Sequence, residues 1–143
     1  MVYYFAYGGN TNPIHMNRTY PNSKLIGVTY LPNYRLVFQS TEWYSQLYPN
    51  NTSIEQSYCN IIPDKSTRVF GVLYDCPEED IQKLDVQERY PNLYTKVKIP
   101  NLNAFTYIMN TDNCIEQTPT ERYFNVVLYG YKAYNLPISQ LEI

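Results

Sequence analysis

Short apolar runs alternate along this chain with breaks marked by proline or glycine. The first run, Val2 to Tyr7 in VYYFAY, is β-branched or aromatic at almost every position. A strand apolar on both faces belongs in the middle of a sheet, covered above and below. Gly8-Gly9 end it; Asn12-Pro13 then supply an N-cap with proline at the first helical position, and Pro21 stops a short helix carrying His15 and Arg18. Two β-like runs, Lys24 to Leu31 and Tyr34 to Ser40, flank Pro32-Asn33 and are expected to pair as a hairpin. Tyr58 to Ile62 and Arg68 to Tyr74 bracket a Pro63-Asp64-Lys65-Ser66 turn, and Tyr94 to Ile99 should pair with Ala104 to Met109 about Pro100-Asn101. Thr41 to Ser57 has no sustained period and reads as a long surface loop.

Two further helices have clear termini. The first follows Pro77, carries Glu78, Glu79 and Asp80 in its opening turn, where the helix dipole favours acids, and ends before Pro91. The second begins at Thr118-Pro119-Thr120-Glu121, a capping-box pattern with Pro119 as first helical residue, and closes on Asn135 as a left-handed cap with Pro137 beyond. Six or seven strands with two or three helices laid on them make an α+β fold, and that many strands let the sheet curl toward a barrel.

Composition narrows the function classes. At 143 residues the chain holds one domain, 1–143, and 44% apolar with 17% charged residues suit a packed globule. The formal charge of −2 offers no basic field for a phosphate backbone, so nucleic acid is not an expected partner. No run approaches the ~20 apolar residues of a membrane span, and the start lacks a signal-peptide pattern, so a soluble, cytoplasmic protein is expected, with no membrane partner. Cys59, Cys76 and Cys114 have neither disulfide-framework nor zinc-site spacing and read as buried, inert thiols. The sequons at Asn17, Asn50 and Asn51 have no meaning without secretion, and the 17 Tyr, with many Asn and Ile beside them, follow from A/T-rich codons.

Against this background a few residues carry possible chemistry. On the helix after Pro77, at about 100° per residue, Glu88 falls between Ile81 and Leu84 on the apolar stripe. A carboxyl held there must be paired or take a raised pKa, and the helix C-terminus pushes the same way. The spacing equally allows Glu88 to bend into solvent or pair with Arg89 or Lys96. Gly8-Gly9-Asn10, between a strand and a helix start, presents successive N–H groups of the kind that bind a carboxylate or phosphate; it also reads as a tight connection using glycine for positive φ. Tyr123 shares an ordinary amphipathic face with Val127, Gly130 and Tyr134. His15 has no second histidine for a metal pair and reads as structural.

Taken in order, these segments resemble the γ-glutamylcyclotransferases and their AIG2-like relatives. Tyr4-Phe5-Ala6-Tyr7-Gly8-Gly9-Asn10 looks like the YFAYGSN signature, Asn60-Ile61-Ile62-Pro63 like the NIxP strand, and Val69 to Tyr74 like VxGxLY. Leu84-Asp85-Val86-Gln87-Glu88 with Tyr94 is similar to the LDxxE segment, and Pro119 to Tyr123, Gly130 and Leu136-Pro137 are similar to the PxxxY, glycine and GLP positions. Gly9 stands where the signature has serine, and Asn135 where GLP has glycine.

The resemblance implies a small mixed β-barrel-like sheet with flanking helices. It implies a loop, Tyr7, Gly8, Gly9 and Asn10, that binds the α-carboxylate of a γ-glutamyl group, Glu88 as acid/base, and Tyr123 lining the pocket. The reaction would convert a small γ-glutamyl compound to 5-oxoproline and a free amine, with no cofactor and no metal. A catalytically silent binding module using the same pocket is the alternative; which γ-glutamyl compound is bound, and the oligomeric state, stay open.

Overall fold

The computed structural model describes residues 2–41, 57–100, 102–109 and 114–142. Its elements are β1 (Val2–Ala6), a 3-10 turn (Gly9–Thr11), α1 (Pro13–Thr19), β2 (Lys24–Thr41), β3 (Tyr58–Cys76), α2 (Glu78–Gln87), β4 (Tyr94–Ile99), β5 (Ala104–Met109), β6 (Cys114–Glu116), α3 (Glu121–Ala133) and a final 3-10 turn (Ile138–Leu141). The six strands form one sheet in the order β4-β5-β1-β3-β2-β6. β1 runs parallel to β5 and antiparallel to β3, so the sheet is mixed and curls into a half-barrel with helices against it. The apolar first run therefore lies inside the sheet, with Tyr4, Phe5 and Ala6 buried. The β4/β5 hairpin pairs Tyr94 with Met109 through Ile99 with Ala104, as its turn residues predict.

The middle of the chain differs from the sequence-based expectation. Pro32-Asn33 does not reverse the chain, and neither does Pro63 to Ser66; β2 and β3 are long and pair with each other from Lys24 opposite Asp75 to Gln39 opposite Tyr58. Both turn signals survive as one irregularity. Pro32 faces Arg68 and Tyr34 faces Pro63, so Asn33, at φ 69°, stands against residues 64–67. Asp64 closes the excursion by accepting from the Ser66 backbone N–H at 3.0 Å and its hydroxyl at 2.7 Å. A proline is tolerated here because β6 pairs β2 only at Gln39 to Thr41, which leaves Pro32 at an edge and beside a bulge. The loop expected over Thr41 to Ser57 falls mostly outside the described residues; Thr41 itself ends β2.

The helix termini obey local chemistry. Asn12 caps α1, accepting from the N–H groups of Ile14 and His15. α2 opens with three acids after Pro77, as expected. α3 starts two residues later than the capping-box reading placed it. Thr120, extended at ψ 152°, is its N-cap and accepts from the Tyr123 N–H at 3.1 Å, so Pro119 lies outside the helix. The Thr120 hydroxyl, beside the helix start, satisfies an orphan donor of the first turn. Asn135, at φ 58°, follows α3 as predicted.

α3 is seated by its buried face, Val127, Gly130 and Tyr131. The Tyr131 hydroxyl donates to the Tyr7 carbonyl at 2.6 Å and accepts from Gln140 Nε2 at 2.7 Å. Gln140 also bonds the Phe70 backbone in both directions, at 2.7 and 2.9 Å. The end of β1, the middle of β3 and the C-terminal turn are thereby tied to one helix, and this fixes where the segment after β1 emerges.

Candidate active site

Tyr7 through Asn10 leave β1 at the mouth of a cavity of about 350 Å³, walled by these residues and by Glu88 and Tyr123. All six candidate residues thus meet in one place, although they come from the β1 exit, the end of α2 and the first turn of α3. Asn10 is the fulcrum on the turn side. Its Nδ2 donates to the Tyr4 hydroxyl at 2.9 Å, its Oδ1 accepts from Gln87 Nε2 at 3.1 Å, and its carbonyl accepts from the Tyr74 hydroxyl at 3.1 Å. The first N–H groups of any helical turn have no partner within it. In the Gly9–Thr11 turn those N–H groups belong to residues that line the cavity.

The glycines act by proximity and not by handedness. Gly8 lies at φ −120°, and Gly9 is absent from the positive-φ residues, so the left-handed reading of this turn is set aside. A Cβ on Gly8 would approach Cys59 Cβ at 2.9 Å and the Tyr123 hydroxyl at 3.3 Å, whereas a Cβ on Gly9 would meet only Tyr123 Cε1 at an ordinary 3.6 Å. Gly8→Val should therefore lower the thermal midpoint and weaken ligand binding, because β3 or Tyr123 must move by several tenths of an ångström. Gly9→Ser, which restores the residue of the resembled signature, should keep the parent midpoint. Calorimetric unfolding of both variants checks the contrast, and an equal loss in the two would contradict this account of the turn.

Glu88 is the C-cap of α2, one residue beyond its last helical position, with φ −84° and ψ 1°. Its N–H bonds the Leu84 carbonyl at 2.8 Å, so the residue is held rather than frayed. Lys96 does not pair with it: the ammonium lies 2.9 Å from Asp85, whose carboxylate also accepts a 2.6 Å bond from the Tyr107 hydroxyl. Asp85 thus pins α2 to β4 and β5 and, three residues on, aims Glu88 at the cavity. Glu88 stays partly exposed through the cavity, but the surrounding protein desolvates its carboxyl and this raises its pKa to about 7, a hydrogen bond from Gln87 opposing the rise. Burial together with the nearby Glu88 charge pushes the phenols of Tyr4, Tyr7 and Tyr94 well above their ordinary value. These hydroxyls stay protonated, and three of the walls have fixed partners: Tyr7 donates to the Tyr107 carbonyl, Tyr94 to the Cys59 carbonyl at 2.6 Å, and Tyr123 accepts from the Cys59 N–H at 3.1 Å.

Several lining residues carried no signal in the sequence. His15, read as structural, stands at the rim with Nε2 3.2 Å from Gln87 Oε1, an oxygen that also accepts from the Tyr20 hydroxyl at 2.8 Å. Two donors on one carbonyl require His15 to carry its proton on Nε2. Gln87 was visible only as the neighbour of Glu88, and Cys59 only as an inert thiol; that thiol is buried and pushed up to about 12, which keeps it unreactive. Among the described residues no group of three or more His, Cys, Asp or Glu is placed to hold a metal ion. No helix among them is long and apolar enough to cross a membrane.

A carboxyl whose pKa is lifted toward neutrality, in one small aromatic cavity with the Gly8–Asn10 turn, can take a proton from one ligand atom and give it to another. Comparison with known proteins agrees with the resemblance of the motifs. The fold is shared with a solved gamma-glutamyl cyclotransferase, at TM-score 0.78 and 22% identity over 99% of this chain and 85% of that one. An uncharacterized human protein, loc79017, gives TM-score 0.76 at 22% identity over the same shares, 99% and 85%. The uncharacterized protein PH0828 from Pyrococcus horikoshii gives 0.56 at 15% identity, over 92% of this chain and 98% of its own. None of the curated proteins matches at a significant level. Residues 4–125 match the family described as gamma-glutamyl cyclotransferase, AIG2-like, and this span includes the β1 turn, Glu88 and Tyr123; the chain belongs to that family.

Proposed function

We infer that this protein is an enzyme that cyclises the γ-glutamyl group of a small γ-glutamyl compound to 5-oxoproline, releasing an amine or amino acid. The observation that carries this reading is the Glu88 carboxyl, lifted to about 7 in the cavity that the Tyr7–Asn10 turn borders. The α-amine of the substrate attacks its own γ-carbonyl carbon, a C–N bond closes the five-membered ring, and the original amide C–N bond breaks. The α-amine titrates near ~8, so most of it is an ammonium at neutral pH and a base must first take a proton. The attacking nitrogen loses two protons, one before attack and one as the C–N bond forms; Glu88 accepts the second and passes it to the departing nitrogen, which leaves as an amine and takes up a proton from solvent in place of the first, so no proton is gained or lost overall.

A carboxylate near 7 is far better matched to this exchange than one near ~4.3. The substrate's α-carboxylate is held by the N–H groups of the Gly8-Gly9-Asn10 turn, which also orients the amine toward the γ-carbon. Tyr123 serves as a wall, its hydroxyl committed to Cys59. The departing side of the substrate faces the open rim.

The test is incubation of the purified protein with a panel of γ-glutamyl amino acids, amines and peptides, with 5-oxoproline measured by mass spectrometry. Product is expected from at least one compound, at a rate unchanged by chelator, since protein groups and solvent handle each proton and charge in the scheme. Folded protein that releases none from the whole panel would instead support a silent binding module.

A further inference from the structure

Gln87, the last residue of α2, is exposed at the cavity rim, yet both ends of its amide are engaged by protein groups. Its Oε1 accepts from the His15 ring at 3.2 Å and from the hydroxyl of buried Tyr20 at 2.8 Å. An amide oxygen has two lone pairs, and both are taken. Nε2 and its two hydrogens therefore point the other way. One hydrogen goes to Asn10 Oδ1 at 3.1 Å, and the other bonds the Glu88 carboxyl. A glutamine at the surface ordinarily leaves much of its amide to water. This one is saturated by partners from the α1 segment, the β1 turn and the end of α2.

The pair of groups joined by Nε2 is the pair the reaction uses. Asn10 stands in the turn whose N–H groups are assigned to the α-carboxylate, and Glu88 is assigned the proton. The separation of these two places thus depends on one nitrogen, oriented by the two donors on its own amide oxygen. The remaining ionisable groups around the carboxyl do not duplicate this. The phenols of Tyr4 and Tyr7 on β1, Tyr94 on β4, Tyr107 on β5 and Tyr123 on α3 are raised by burial and stay protonated, as do Tyr20 and the Cys59 thiol on β3. Among the cationic side chains, Lys96 is bonded to Asp85, and His15 and Arg122 line the rim. The Gln87 N–H favours the ionised carboxyl where desolvation disfavours it.

Resting on the cyclisation inferred above, we propose that Gln87 is a positioning residue of the reaction: one amide nitrogen holds the Glu88 carboxyl in register with Asn10 and its turn, and the His15 and Tyr20 donors keep that nitrogen pointing inward. Gln87 touches no reacting atom. Its loss raises the pH at which Glu88 becomes a base and misplaces the carboxyl relative to the bound amine.

The experiment uses Gln87→Met, which keeps the length of the side chain and removes every amide contact, Tyr20→Phe, which removes one donor from Oε1, and the double variant. Glu88 is titrated in each by carbon-13 NMR of labelled glutamate, and kcat and KM are measured across pH 5 to 9 by 5-oxoproline release from the fastest γ-glutamyl compound of the panel. In Gln87→Met the Glu88 titration and the acid limb of the rate profile should both move up by about one pH unit, so that kcat/KM at pH 6 falls roughly tenfold from this change alone. At pH 9, where Glu88 is ionised in both proteins, a several-fold deficit in kcat should remain from the lost register. Tyr20→Phe should move the titration the same way by less, and the double variant no further than Gln87→Met, because both act through one amide. At pH 5, where the carboxyl is protonated in both folded proteins, the thermal midpoint of Gln87→Met should stay within about 2 °C of the parent, as for other exposed positions. An unchanged titration, full recovery of kcat at pH 9, a double variant whose shift is the sum of the two, or a midpoint lowered well beyond that margin overturns the proposal and leaves the cyclisation standing. If no compound of the panel gives 5-oxoproline, the cyclisation fails, and the positioning role with it, whatever the titration shows.

Discussion

Replacement of Glu88 by Gln is expected to abolish 5-oxoproline release while making the fold more stable at pH 8 and no more stable at pH 4. The loss of turnover follows from removing the only group in the scheme that both takes and returns a proton. The stability effect follows from the sign of the pKa shift. Burial raises the folded-state pKa of Glu88 to about 7, above the ~4.3 of a solvated glutamate. Below about pH 4 the group is protonated in both folded and unfolded chains and costs nothing. As pH rises through the window from ~4.3 to about 7, the unfolded chain ionises first and is favoured. Above that window the full penalty is present, on the order of 2 kcal/mol once the solvent admitted by the cavity is allowed for.

Gln keeps the shape and never ionises, so at pH 8 its thermal midpoint should exceed that of the parent by roughly 6 °C. Parent kcat/KM should fall as pH drops below about 7, because the base becomes protonated. Unfolding scans at the two pH values and a rate profile check all of this. A Gln variant with most of the parent turnover would remove Glu88 from the mechanism, and equal midpoints at pH 8 would mean that its carboxyl is solvated.

Gly130→Ala is expected to destabilise the protein strongly. A Cβ there would lie 2.6 Å from the Thr11 carbonyl carbon and 2.7 Å from the Asn12 nitrogen, and it would also meet Thr11 Oγ1. Two of these atoms are backbone, so no rotamer change relieves the contact, and α3 must lift from the turn. The turn is in turn held by the Thr11 hydroxyl on the Gly8 carbonyl at 2.7 Å and by Asn12 on Val126 at 3.0 Å. Overpacking of this kind costs about 3 kcal/mol, a fall of roughly 10 °C in thermal midpoint for a chain of this length. Substrate affinity should fall with it, since the displaced turn carries the N–H groups assigned to the α-carboxylate. A midpoint within ~2 °C of the parent would show that helix and turn separate more easily than this contact implies.

Local chemistry in the sequence was enough for several elements. A continuous β-branched and aromatic run placed β1 inside the sheet, and turn residues placed β4 against β5. Asn12, the acids after Pro77 and Asn135 marked helix ends, because caps and dipoles act within one turn of the chain. The ordered motifs also carried the family and the six residues that the fold brings together at the cavity. What local signals could not decide was partner choice. Pro32-Asn33 and Pro63 to Ser66 each have turn chemistry, yet in the sheet they oppose one another as a bulge, since pairing along the whole of β2 and β3 satisfies far more backbone groups than two short hairpins would.

The state of Glu88 was undecidable for the same reason. Helical spacing allowed burial, solvent or an ion pair with Lys96, and the choice was made by residues distant in sequence: Asp85 engages Lys96 and Tyr107, and β1 and α3 close the cavity around the carboxyl. His15 became part of the rim only because the Asn12–Val126 bond lays α1 beside α3. Sequence alone determined which residues can cap, turn, pair or ionise, because those properties belong to the residue and its near neighbours. Only the tertiary structure decided which of them meet, and with them the pKa of Glu88, because burial and electrostatic surroundings depend on atoms brought together from the whole chain.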